Sequence, residues 1–177
     1  MAWFVAQRPW RLVVCAGSRP VRLTRRYVLI SSWTLASPPE KIWTLLRDID
    51  GWPGWWPQLM EVSRLGLGDG DGLGQVTRFT WRSGVGYRLK ITTTTVRMVS
   101  QKEIEAVADG DVSGRGLWLL EAHEADRVRI TYRWDVELHR SWMRFLSPVL
   151  AVLFTRRHFA LMRGCAAGMA RQLGCLV

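Results

Sequence analysis

The chain has 177 residues, with 25 Lys+Arg against 15 Asp+Glu and a formal net charge of +10. Its 48% hydrophobic and 23% charged residues are the balance of a folded protein, and the length suits one domain with a sizeable core. The same numbers exclude general disorder, collagen-like repeats and a disulfide scaffold.

The positive charge is confined to the two ends. Residues 1–26 hold six Arg and no acid, residues 139–177 another six Arg and no acid, and residues 27–138 carry 13 basic against 15 acidic groups. Only Lys41, Lys90 and Lys102 of the 25 cations are lysine, an Arg skew that genome base composition produces without selection for phosphate binding. A nucleic-acid partner would need cations clustered with exposed aromatics on a recognition element. The middle of the chain has no such cluster, so no nucleic acid is expected. The N-terminal stretch makes a poor signal peptide, because Arg8, Pro9 and Arg11 interrupt its apolar residues. Val14 before Cys15 argues against lipoprotein processing. Two readings of residues 1–26 stand: a flexible basic extension, or sequence upstream of the true start with Val21 or Leu23 as initiators. Residues 27–177 read as a single domain.

Residues 27–35 are rich in β-branched and aromatic side chains and predict a strand. Ser37-Pro38-Pro39-Glu40 then opens a helix, with Ser37 as N-cap and Glu40 as its capping-box partner. Ile42, Trp43, Leu45 and Leu46 give that helix an apolar face. The next segment, 50–57, is too broken by Pro and Gly for a long helix and predicts a compact turn or short second helix presenting Trp52, Trp55 and Trp56. Strands follow at 60–65, 75–82, 86–99, 102–108, 114–122 and 127–138. A turn-rich loop with Asp69-Gly70 and Asp71-Gly72 separates the first two, and short polar links join the others, so an antiparallel meander is the simplest topology.

The strand at 127–138 alternates strictly. Val128, Ile130, Tyr132, Trp134, Val136 and Leu138 take one face and Arg127, Arg129, Thr131, Arg133, Asp135 and Glu137 the other, as on a sheet with one face buried. The same parity turns Tyr87, Leu89, Ile91, Thr93 and Thr95 inward, and Phe79 and Trp81 from the strand before. From about 141 to 173 the period is helical. Trp142, Phe145, Val149 and Leu153 form one stripe, and Phe154, His158, Leu161, Met162, Cys165, Met169 and Leu173 a second, with Pro148 as the expected break between them. The apolar run at 145–154 is about half of the ~20 residues that a membrane span needs. Cys15, Cys165 and Cys175 are odd in number and lack C-x-x-C spacing. No disulfide framework or structural zinc is expected; Cys165 reads as a small buried hydrophobe, in a reducing, cytoplasmic setting.

This order, and in particular the 36–43 helix start, the 52–57 tryptophan–proline segment, Gly114-x-Gly116-x-Trp118-x-Leu120 and the 129–134 strand, resembles the SRPBCC superfamily. That superfamily includes START lipid-transfer domains, birch-pollen-allergen-like proteins and the polyketide cyclase/dehydrase group; the sequence looks most like bacterial polyketide-cyclase-like members. The resemblance spans roughly 27–173. It implies an α+β helix-grip fold, in which a curved antiparallel sheet of about seven strands wraps a long C-terminal helix, with two short helices after the first strand. It also implies a cavity between sheet and helix, although fold alone does not select a function.

The expected cavity wall comprises Phe79, Trp81, Tyr87, Leu89, Ile91, Thr93, Trp118, Tyr132, Trp134, Phe154, His158 and Met162. Trp52, Trp55 and Trp56 fall at the implied entrance, as a gate or membrane-dipping edge, with simple packing of the loop as the plainer alternative. His158 stands in the centre of an apolar helix stripe, where an imidazole can bond a ligand or move a proton; a core histidine satisfied by its neighbours is the alternative. Tyr132 and Tyr87 are the accompanying candidates for proton transfer. Arg115 falls on the face opposite Trp118 and reads as exposed. His123, His139 and His158 lie on separate elements, so no metal is expected, and no cofactor. The 66–74 loop lacks the Lys-Ser/Thr ending of a phosphate-binding loop. The leading expectation is a binder of a hydrophobic small molecule such as a lipid, quinone or polyketide-like compound. A cyclase, aromatase or dehydratase is the alternative, and transient docking of the basic ends on anionic membrane a further one. The sequence leaves the oligomeric state open.

Overall fold

The computed structural model describes residues 26–82, 88–123, 127–138 and 147–175, with side chains for all of these except 26, 138 and 147–154. Tyr87, His139, Trp142, Phe145, Cys15 and the basic 1–25 segment lie outside the described residues, as do the side chains of Phe154, Val149 and Leu153.

Strand β1 (Arg26–Leu35) leads into helix α1 (Pro39–Arg47), a single 3-10 turn (Ile49–Gly51) and the one-turn helix α2 (Trp52–Trp55). Six strands follow: β2 (Leu59–Gly66), β3 (Val76–Arg82), β4 (Arg88–Val99), β5 (Glu103–Gly110), β6 (Val112–Ala122) and β7 (Val128–Leu138), before the long helix α3 (Ser147–Leu173). The sheet order is β1-β7-β6-β5-β4-β3-β2, antiparallel throughout. From β2 to β7 it is the expected meander. β1 joins at the far edge, pairing Leu35 with Val128 and Arg26 with Glu137. Register shifts between Leu59 and Glu61, Arg64 and Gly66, and Thr95 and Arg97 insert extra residues on one strand, the device that bends a sheet.

One local expectation is corrected. Ser37 is not the N-cap of α1: Pro38 occupies that position, no side chain caps the helix, and Ser37 is buried one residue earlier. Consecutive prolines fix the entry instead, because each holds φ near the value that the first helical turn needs and neither requires an N–H partner. The helix α3 is described from Ser147, with Pro148 in its first turn, and the preceding residues across which a break was expected lie outside the described residues.

The main core joins α1 and α2 to the inner sheet face and to the C-terminal half of α3. Leu35, Ile42, Leu46, Ile130, Met162, Cys165 and Met169 are fully buried there. Cys165 packs as a small hydrophobe, its Sγ donating to the Met169 Sδ at 3.9 Å. Gly168 lets the helix close on α2, since a Cβ at this position would strike the Trp55 carbonyl oxygen. Arg156, Arg157, Arg163 and Arg171 project from α3 to solvent. Among the described residues no helix is long and apolar enough to cross a membrane.

Candidate ligand cavity

The concave sheet face and α3 pack together only in part, with His158 lying against the β7 rings Tyr132 and Trp134. Between them lies a cavity of about 800 Å³. Period-two alternation puts its wall together. Phe79 and Trp81 reach it from β3, Leu89, Ile91, Thr93 and Thr95 from β4, Trp118 from β6, and Tyr132 and Trp134 from β7, while α3 contributes His158 and Met162. Strand parity or the helix stripe points to each of them. The opposite parity is equally consistent, since Arg115 is exposed and pairs with Glu105 at 2.8 Å.

The segment expected at an entrance is part of the core. Trp52, Trp55 and Trp56 are only 8%, 5% and 2% exposed. Trp52 stacks on Phe79 (centroids 5.6 Å, 21° between planes), and Trp56 meets Trp81 edge-on at 4.9 Å. The Trp52 Nε1 donates to the Leu45 carbonyl at 3.2 Å and the Trp56 Nε1 to the Leu161 carbonyl at 3.0 Å. These two bonds tie the segment to α1 and to α3. Trp52 and Trp56 therefore offer the cavity their rings, with their N–H groups already engaged, and Trp55 packs under α3 away from it. Of the two readings left open, the plainer one of simple packing is what the structure has, because three indoles bury far more apolar area than a short loop can leave in water.

The cavity holds few polar side chains. Thr77 accepts from the Gln75 Nε2 at 3.1 Å. Tyr132 leans over Gly116, where a Cβ would stand 2.8 Å from its hydroxyl, and its ring lies 4.5 Å from Trp118. Burial, with a smaller contribution from Cys165, pushes the Tyr132 phenol well above the ordinary tyrosine value. His158 is 4% exposed and sits among aromatic rings, Tyr132 at 6.3 Å, Trp134 at 5.6 Å and Phe159 at 5.5 Å. Neither of its ring nitrogens has a partner, and burial lowers its pKa to about 4. It is neutral at pH 7, with one donor and one acceptor nitrogen. At the margin stand Arg47, Asp48, Asp71, Arg157 and the exposed pair of Arg64 with Asp50 (2.8 Å).

Several wall residues were not anticipated. Ile104, Ala106 and Ala108 alternate along β5, so the rule that placed β4 and β7 would have found them. Gln58 and Met98 carry no comparable signal, whereas Leu161 lies on the helix stripe that faces the sheet.

Comparison with known proteins agrees with this architecture. The solved structures it resembles include the protein TTHA0849 from Thermus thermophilus (TM-score 0.68, 14% identity, 82% of this chain and 98% of that one). A START superfamily protein from Mycobacterium smegmatis has the same TM-score of 0.68 at 14% identity, with 83% and 97% covered. The Zhui aromatase/cyclase from Streptomyces sp. R1128 has 0.64 at 20% identity, with 85% and 93% covered. At these identities the likeness establishes a shared fold. A sequence search of curated proteins found no match. The family described as polyketide cyclase / dehydrase and lipid transport matches residues 30–173, which spans β1 to the end of α3 with every wall of the cavity, and the chain belongs to that family.

Proposed function

We propose that the protein binds a hydrophobic small molecule of lipid, quinone or polyketide-like class between its sheet and α3, and holds it without covalent conversion. The observation that carries this reading is the cavity itself. About 800 Å³ lined mainly by aromatic and aliphatic side chains matches the size and chemistry of small-molecule sites. Native mass spectrometry of the purified protein tests it: a co-purified apolar species, or a mass shift with a lipid and quinone panel, is expected. A protein that stays empty against the whole panel overturns the reading.

A cyclase, aromatase or dehydratase is the second reading, favoured by the adjacency of Tyr132 and His158 inside the cavity. In it the imidazole takes a proton from the carbon between two carbonyls, the enolate carbon attacks a further carbonyl, and the phenol protonates the resulting alkoxide. The protonation equilibria weigh against this. A base whose pKa is lowered to about 4 is weak, and a phenol pushed up by burial is a reluctant acid, whereas general acid–base catalysis is most efficient with pKa values near the operating pH. Binding is therefore preferred. Loss of turnover of a polyketone substrate on His158→Ala would reverse that preference, and unchanged turnover would remove His158 from any such mechanism.

A further inference from the structure

Among the described residues, Ser31, Trp33, Trp55, Gln58 and His158 bury a polar side-chain atom without a partner, and only Gln58 and His158 of these border the cavity. His158 is the more extreme, with both Nδ1 and Nε2 unpartnered on an almost fully buried residue. Stability alone does not explain a histidine here. A leucine or methionine would fill the same helix position without leaving two hydrogen-bonding groups unsatisfied.

Both nitrogens are covered by neighbouring atoms, so solvent does not satisfy them, although the residue borders the cavity. A half-turn about the Cβ–Cγ bond exchanges Nδ1 with Cδ2 and Nε2 with Cε1 within nearly the same outline. That torsion is broad for histidine, so the turn needs little room. It moves each nitrogen to the opposite ring edge, so that the two rotamers between them offer a nitrogen along either edge.

We infer that His158 is a specificity-determining residue of the cavity: its imidazole turns to place a ring nitrogen on a hydroxyl group of an otherwise apolar, ring-bearing ligand. The inference rests on the binding reading above and narrows its ligand class. A neutral imidazole presents one donor and one acceptor, and a hydroxyl complements either tautomer. A carboxylate would instead be matched by imidazolium, which burial disfavours. The ring-bearing character follows from Trp52, Trp56, Trp81 and Trp118, which offer flat apolar surface around the same space.

Titration of the full-length chain at pH 7 with 1-hydroxypyrene and 1-methylpyrene tests this, because the two probes share size and planarity and differ in one hydroxyl. Wild type is expected to bind 1-hydroxypyrene about tenfold more tightly, the worth of one net hydrogen bond. His158→Leu should erase the preference while 1-methylpyrene affinity is retained, and His158→Gln, whose carboxamide also donates and accepts, should keep part of it. Equal affinity of the two probes for wild type, or a preference that survives in His158→Leu, overturns the inference and leaves the binding reading intact. Failure of both probes to bind overturns the inference, whose ligand is ring-bearing, while an empty protein against the lipid and quinone panel is what removes the binding reading. A readout that needs no variant is the imidazole ¹⁵N spectrum. The chain has only three histidines, and the buried one should shift with 1-hydroxypyrene and not with 1-methylpyrene; an unmoved signal on saturation with 1-hydroxypyrene overturns the inference.

Discussion

The two halves of α3 meet the molecule in different ways. Residues 165–170 include Cys165, Ala166, Gly168, Met169 and Ala170, all buried, and the small ones let the helix backbone close on Trp55. Residues 157–162 include His158, Leu161 and Met162, which pack against their neighbours on one side and border the cavity on the other. Side-chain size along one continuous helix thus divides contact from cavity, with anchoring done by one half and ligand recognition left to the other.

Breaking the anchored half should have the largest effect. Met169 is 0% exposed and borders no cavity into which neighbours already open, so Met169→Ala is expected to cost about 4 kcal/mol in a urea titration. A loss below about 1 kcal/mol would show that this half is not the anchor. Next comes pH, which reads the recognition half. The folded His158 pKa of about 4 lies below the unfolded value near 6.5, so the unfolded chain takes up the proton first. The His158 contribution is therefore undisturbed above pH 6.5 and declines as pH falls toward 4, by a total on the order of 3 kcal/mol. In His158→Leu that part of the pH dependence should vanish, and an unchanged slope between pH 6.5 and 4 would assign it to other groups.

Two glycines of α3, Gly168 against Trp55 and Gly164 against Gln58, sharpen the comparison further. Gly168→Ala puts a methyl against the rigid Trp55 backbone and should destabilise by about 2 kcal/mol. Gly164→Ala meets only the Gln58 side-chain amide, which can move aside, and the helix gains about 1 kcal/mol of propensity from the change. That variant should melt within a few degrees of wild type. Equal losses at the two sites would mean that the helix is held at uniform distance along its length.

Periodicity made most of this legible. The stripe His158, Leu161, Met162, Cys165 and Met169 identifies the inward face of α3, and strict alternation in β7 and β4 fixes which strand residues share a wall with it. What periodicity does not carry is distance. Nothing in the order of residues says that a cavity opens beside His158 while the helix closes on Trp55 at Gly168, because that depends on which small side chains meet which backbone. For the tryptophan segment the order of residues left a gate and simple packing both open, for a related reason. Its Pro and Gly describe the path of the chain correctly as a tight turn, but the turn is pulled inward by the bonds from Trp52 to Leu45 and from Trp56 to Leu161, and the second partner lies 105 residues away.

The pairing of β1 with β7 also governs how the molecule is made. Leu35 finds Val128, and Arg26 finds Glu137, only after the whole meander between them has been synthesised, and the indoles of the second segment wait longer still for α3. Such long loops must close before their contacts contribute, which slows folding and prolongs exposure of apolar surface. A ribosome stalled before α3 emerges would present Trp52, Trp55 and Trp56 uncovered, making the nascent chain a substrate for chaperones at the stage when its ligand cavity does not yet exist.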